Sequence, residues 1–221
     1  THKYGLDGIL EAMAICIAEQ YHAELIDLVP KQDREDNGLF ELLFTQTLLR
    51  RSVASFTERT IELLNHIPEY GHRSTRLDIL LSLSTEPRHP WNADFLHRNL
   101  ILLSLPERDA FWSIHLAVSD YEEDENEPES IVRTLIDWAQ FGNLDDIEPE
   151  RLRLTAVTLL WFTTSSNRKV RDQATKSLVR ILSLCPVYLP QLIEQFYDID
   201  DLYLLERLYA TAFGKYKSSM S

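Results

Sequence analysis

The sequence predicts an all-α fold, an α-solenoid of stacked helical hairpins with about ten helices. Three observations carry this expectation. Apolar residues recur at three- and four-residue spacings in one segment after another, which lines up a stripe on a helix rather than a face of a strand. Glycine and proline number six and nine among 221 residues, too few for a sheet-rich chain built on tight turns. The stretch from Asn167 to Gly214 holds two similar units: Val170, Ala174, Leu178, Ile181 and Leu182 form one apolar stripe, with Arg171, Lys176 and Arg180 off it, and Leu204, Leu208, Ala212 and Phe213 form another. Asn167 and Asp201 stand at N-cap positions, each followed five residues later by a carboxylate, Asp172 or Glu206. One helix cannot bury its own stripe, so a unit recurring at about 34 residues points to hairpins that cover one another.

In chain order, the first long helix is expected over Leu6 to Val29, with Ile9, Met13, Cys16, Ile17, Leu25 and Leu28 on or near one face and Pro30 as its stop. Lys31 to Gly38 is a polar turn. Leu39 to Ser55 carries Phe40, Leu43, Phe44, Thr47 and Leu48 at helical spacing, and a short helix from Glu58 to Ile67 ends at Pro68. Further helices are expected over Arg76 to Leu83, Asn92 to Leu103 and Pro106 to Val118. Pro106 sits near the start of the last of these, and Glu107 in its first turn suits the positive end of the helix dipole. The acidic run Asp120 to Glu129 separates N-terminal helices, residues 1–119, from C-terminal repeat-like helices, residues 130–221, within a single helical-repeat domain. Ser130 to Phe141 and Arg151 to Thr164 complete the helices ahead of the two similar units. Because the chain opens at Thr1 directly into helical sequence, it is expected to be a fragment of a larger polypeptide.

Composition limits the function. A formal net charge of −13 argues against nucleic-acid binding, which rests on clustered Lys and Arg. Cys16 and Cys185 lie far apart without CxxC or Cys/His spacing, so they are expected to be buried free thiols of a cytosolic protein rather than a disulfide or zinc framework. No apolar run is long enough for a membrane span. In the acidic run Asp120, Glu122 and Asp124 alternate as in a calcium loop, but Glu125 replaces the sharp-turn glycine and Ile131 the final bidentate acid. The seven histidines form no HExxH spacing, and His66, with His72 beyond, fits a helix C-terminus. With no GxSxG and no phosphate loop, the chain is expected to be no enzyme and to hold no cofactor or metal. Trp112, Trp138 and Trp161 suit helix-to-helix contacts, whereas Tyr188, Tyr197, Tyr203 and Tyr209 are candidate anchors for a protein partner.

The segment V-R-D-Q-A-T-K-S-L, Val170 to Leu178, resembles the second helix of a HEAT repeat, in which Ala174 lets neighbouring helices approach and Arg171 and Asp172 pair with the next unit. The longer stretch N-R-K-V-R-D-Q-A-T-K-S-L, Asn167 to Leu178, together with L-P-E-R-D-A-F-W, Leu105 to Trp112, and D-D-L-Y-L-L-E-R-L-Y-A-T-A-F-G, Asp200 to Gly214, resembles the C-terminal helical region of large bacterial STAND NTPases of the Avs antiviral type. The motifs cover the second half of the chain. The resemblance implies a sensor that recognises a phage protein, such as the terminase large subunit or the portal, and relays this to an oligomerising P-loop ATPase and an effector outside this chain. It also implies inter-repeat structural roles for Arg171, Asp172, Ala174, Glu206 and Arg207. The alternative is a structural helical spacer without a ligand of its own.

Overall fold

Helix ends decide where this chain turns, and polar side chains at those ends explain most of its boundaries. A computed structural model describes residues 2–34, 37–67, 74–118 and 130–218; the acidic run Asp120 to Glu129, with its calcium-like spacing, and His72 lie outside the described residues. The described residues are helical, with no strand among them. The chain divides into two units, Thr1–Glu69 and Tyr70–Ser221.

The first unit contains α1 (His2–Tyr21), a 3-10 turn at Leu25–Leu28, α2 (Lys31–Arg34), α3 (Asn37–Leu43), 3-10 turns at Thr45–Thr47 and Val53–Ser55, and α4 (Glu58–Leu64). The helix expected to run to Val29 stops at Tyr21. His22 adopts a left-handed φ of 51° and its N–H bonds Ala18 O at 3.1 Å, which closes the helix. The expected apolar face of this helix is also corrected: Ala14 and Ala18 are fully buried, whereas Ile9, Met13 and Leu28 are exposed. Cys16, expected to be buried, is exposed, and Cys185 is half-buried; both are free. The long helix expected over Leu39 to Ser55 is broken into α3 and two 3-10 turns. Thr47 Oγ1 donates to Phe44 O at 2.6 Å, a local bond that competes with the helical ladder.

These breaks bring a buried ion pair together. Glu24, turned inward past His22, accepts from Arg51 at 2.8 Å and from the Thr60 hydroxyl at 2.6 Å. Arg51 Nε donates to Thr47 Oγ1 at 2.9 Å, and its guanidinium lies 5.6 Å from the Phe44 ring centroid. Thr57 and Thr60 form a capping box at the start of α4. Asp27 joins the other side of α4 through Arg59 at 2.7 and 2.9 Å, and this hydrogen-bonded guanidinium holds the Asp27 carboxyl below its ordinary range.

The second unit contains α5 (Thr75–Leu83), α6 (Ala93–Ile101), α7 (Leu105–Arg108), one π-type turn at Asp109–Ser113, α8 (Ile114–Val118), α9 (Ile131–Phe141), α10 (Pro149–Phe162), α11 (Arg168–Leu184), α12 (Tyr188–Phe196) and α13 (Leu202–Ser218). Asn92, Ser130 and Asn167 cap α6, α9 and α11 by accepting backbone N–H groups at 3.1, 3.2 and 2.9 Å. Asp201 accepts the Leu204 N–H at 3.1 Å, so both expected caps of the two similar units are in place. Helix α12 is an element that the sequence pattern does not announce, because Pro186 and Pro190 obscure it. Pro190 occupies its third position, within the first turn, where the N–H has no helical partner to lose.

Every residue of α10 from Leu154 to Phe162 is buried, and the helix packs against α6, α11 and α13. Helix α11 also packs on α9. Ser177 Oγ donates to Ile136 O at 3.2 Å, and Arg180 donates to Ala139 O and Gly142 O at 2.7 Å each. These contacts advance in the same direction along both helices, so α9 and α11 run parallel with α10 between them in sequence, as alternate helices of stacked hairpins do. Gly142 ends α9 where a Cβ would come 2.5 Å from Trp138 O, so a side chain has no room there. No helix among the described residues is long and apolar enough to cross a membrane.

Truncating Glu24 to Ala leaves the buried Arg51 charge without its carboxylate and is expected to cost about 3–5 kcal/mol. Denaturant unfolding of the chain, followed in parallel with the parent, measures this loss.

Candidate functional site

The α6–α7 turn and the α12–α13 turn meet in the second unit. Helix α6 buries Leu96, His97 and Leu100 and ends at Ile101, so Ile101 and the C-cap Leu102 are exposed. Ser104 opens α7 with a capping box: its N–H and hydroxyl donate to Glu107 at 2.8 and 2.7 Å. These two bonds hold the Glu107 carboxyl below its ordinary range.

Arg108, the last residue of α7, is 3% exposed and fixes the turn from beneath. Its guanidinium donates to Leu103 O at 2.6 Å, pairs with the Asp200 carboxylate and lies 5.8 Å from the Trp161 ring centroid. The hydrogen bond from Arg108 is the main reason that the Asp200 carboxyl titrates below its ordinary range, and Leu105 contributes a backbone bond. One cation therefore joins α7, the α12–α13 turn and α10.

A second junction lies deeper. The His97 ring lies 4.4 Å from that of Phe196 of α12, tilted by 59°, and its Nδ1 accepts from Trp161 Nε1 of α10 at 3.2 Å. With Nδ1 accepting, the neutral ring carries its proton on Nε2. Burial pushes the His97 pKa down to about 4. Beside it, Asp94 takes both terminal nitrogens of Arg153 at 3.0 and 2.5 Å and the Gln195 amide at 3.2 Å. Burial is the largest single influence and raises the Asp94 pKa, but the hydrogen bonds and charge of Arg153, the Gln195 amide and the Arg98 charge together outweigh it and the net shift is downward.

Above this buried layer is a cleft of about 460 Å³ lined by Ile101 to Ser104 on one side and by Gln195 and Asp198 to Asp200 on the other. Among its lining residues Leu102 is 82% exposed and Ile101 is also exposed, and in the chain immediately flanking the lining Leu105, Tyr197 and Leu202 are exposed as well, Leu202 at 82%. Among the described residues no group of three or more His, Cys, Asp or Glu is placed to hold a metal ion.

A second depression lies where the π-type turn meets the end of α10, lined by Asp109, Ser113, Thr164, Arg171 and Tyr203 among others. The wide turn sends Trp112 inward, where its Nε1 donates to Trp161 O and Thr164 Oγ1 at 3.2 Å each. Ser113 Oγ accepts the Ser166 N–H at 3.0 Å. These bonds satisfy backbone groups left over between α10 and α11.

The residues singled out in the sequence fall in several places. Ala174 is fully buried where α11 packs. Arg171 donates to Ser165 O and Ser166 O at 2.7 Å each, closing the turn before its own helix. Asp172 meets Arg168 at 3.4 Å on the exposed face of α11. Glu206 is exposed, and Arg207 bonds Tyr203 Oη at 2.8 Å within α13. Tyr197, Tyr203 and Tyr209 are exposed, and Tyr188 is half-buried, with burial and the nearby Glu150 pushing its hydroxyl pKa up. Tyr197 borders the cleft and Tyr203 the second depression. Trp112 and Trp161 are buried between helices and Trp138 is half-buried, while His66 bonds Glu62 O at 2.7 Å near the end of α4. Leu102, Leu105 and Leu202 were not singled out, because an exposed leucine at helical spacing looks the same in sequence as a core leucine.

No protein-family model matches this chain, and no curated protein or solved structure matches it at significant similarity.

Two outcomes test this layout. Because the His97 pKa is depressed, its neutral form stabilises the fold fully above its ordinary value of 6.5, and that contribution is lost as pH falls toward about 4. His97→Gln is therefore expected to flatten the fall in unfolding free energy over this window, by on the order of 2–3 kcal/mol, in denaturant titrations across pH. Asp172→Ala, which removes an exposed pair within one helix, is expected to change stability by no more than about 0.5 kcal/mol in the same titrations.

Proposed function

We propose that this chain is a protein-interaction module, the sensor region of a large antiviral STAND-type NTPase. It recognises a phage protein, such as the terminase large subunit or the portal, and relays that event to an ATPase and effector outside this chain. The observation that carries the binding reading is the rim of the cleft. Leu102, which lines the cleft, and Leu202, two residues past its lining residue Asp200, are each 82% exposed on turns that the buried Arg108 holds together. Large apolar side chains grouped on a rigid surface are a feature of protein-binding sites, where an anchored scaffold lowers the ordering cost of association. The motif resemblance over Leu105 to Trp112, Asn167 to Leu178 and Asp200 to Gly214 supplies the class of partner.

The relay follows from the same construction. The helices that form the cleft are tied to α10 through His97, Trp161 and Arg108, so a partner seated on the cleft is coupled to the centre of the unit. Binding that favours one arrangement of these helices shifts the larger polypeptide toward its active state only by the difference in affinity between its two states.

A structural spacer is the second reading, favoured by the arginine clamps Arg151–Glu86 and Arg153–Asp94, which stiffen the helices against one another. Co-purification separates the two. The chain is expected to retain the terminase large subunit or the portal at moderate salt, and not an unrelated capsid protein. Retention of neither sends the assignment to the spacer.

A further inference from the structure

We propose that the cleft between the α6–α7 and α12–α13 turns docks a basic, amphipathic segment of a partner protein, with apolar side chains on Leu102 and Leu202 and Lys or Arg side chains facing the surrounding carboxylates. This assignment rests on the interaction-module reading and specifies which surface binds and what chemistry it takes.

The apolar half of the recognition is fixed by the fold. Arg108 holds the Leu103 carbonyl and Asp200 together, and Leu100 is buried beneath, so Leu102 stays outside. Leu202 is directed outward by the α13 cap, in which Asp201 turns inward to bond the Leu204 N–H. Leu102 lines the cleft and Leu202 follows its lining residue Asp200 by two positions, so these side chains offer an apolar seat that stays exposed among the described residues.

The electrostatic half identifies the occupant. Residues 101–107 and 194–202 contain Glu107, Glu194, Asp198, Asp200 and Asp201, and no Lys, Arg or His. Asp200 is engaged by Arg108, Asp201 by the α13 cap and Glu107 by Ser104, while Asp198 in the cleft lining and Glu194 on the same side are exposed. Arg98, exposed one turn earlier on α6, is the nearby cation outside these two turns. Such a field repels phosphate backbones and anionic headgroups and attracts cations. A second copy is disfavoured, because an isologous contact would set the same carboxylates against one another in a chain of net charge −13. A segment with an apolar stripe flanked by Lys or Arg satisfies both halves.

The test uses the 221-residue chain and a fluorescein-labelled peptide of about 14 residues, with Leu on one helical face and Lys elsewhere, beside a counterpart in which Glu replaces Lys. Fluorescence anisotropy is expected to show the Lys peptide binding at least about tenfold more tightly than the Glu peptide. L102S/L202S, two exposed positions that leave circular dichroism and the thermal midpoint unchanged, is expected to weaken binding about tenfold, and E194Q/D198N about threefold with a shallower salt dependence. If the double serine variant alters the fold, Leu102→Ala alone is measured, and it is expected to weaken binding. No binding of the Lys peptide, equal binding of both peptides, or full affinity in the folded leucine variant overturns the assignment. A concentration-dependent dimer abolished by L102S/L202S also overturns it, in favour of a second copy. Phage-protein retention that survives L102S/L202S would leave the module reading in place while removing this cleft from it. Cleft-dependent Lys-peptide binding without retention of either phage protein would do the reverse.

Discussion

Burial of α10 on all sides is the constraint on which the second unit depends. Leu154, Val157, Leu159, Leu160, Trp161 and Phe162 are all buried, and each contributes roughly 1.5–3 kcal/mol of gross transfer free energy. A helix apolar around its whole circumference needs neighbours on every side, and α6, α11 and α13 provide them. Its polar groups then need partners in the interior: Trp112 donates to the Trp161 carbonyl, and Thr155 and Thr158 return their hydroxyls to carbonyls four residues back. Trp161 in turn supplies the His97 ring with its donor and Arg108 with a ring face. The cleft is what remains outside once these interior demands have been met.

The same arrangement explains where charge is rigid and where it is free. Arg108 and Arg153 are held by carboxylates and carbonyls at the junctions of α6, α7, α10 and α12, so they set distances between helices. Exposed pairs such as Arg168–Asp172 have little influence on those distances, since water screens them and side-chain entropy opposes them. Asp198 in the cleft lining and Glu194 beside it belong to neither class. They are exposed and carry charge that no cation of their own turn offsets, which is the condition for steering a cationic partner.

Much of this fold was legible in the sequence, and the failures have physical causes. Asn167, Asp201, Asn92 and Ser130 are caps whose oxygen acceptors mark helix starts, and the stripe Val170, Ala174, Leu178, Ile181 and Leu182 is buried in full. Periodicity failed in the first unit, where the backbone conformations of His22, at φ 51°, and Phe44, at φ −126° and ψ −70°, end α1 and α3 in a way that no hydrophobic pattern encodes. It also missed α12, whose proline sits harmlessly in the first turn. The site was harder to read. Tyr197 was a candidate anchor by residue type, whereas Leu102 and Leu202 become distinctive only when the fold leaves them exposed among the described residues. Arg171 and Asp172 looked like inter-unit groups by resemblance, while their bonds in the structure run to the preceding turn and within α11.

Hydrogen–deuterium exchange on the free chain tests the central claim, that a core organised on α10 holds a preformed cleft. Amides of residues 154–162 are expected to exchange most slowly in the second unit, through its global opening, and the helical amides around Leu100 and Arg108 are expected to be protected as well. Exchange of residues 154–162 as fast as that of the outer helices, or exchange of residues 100–108 at the rate of an open loop, would contradict it.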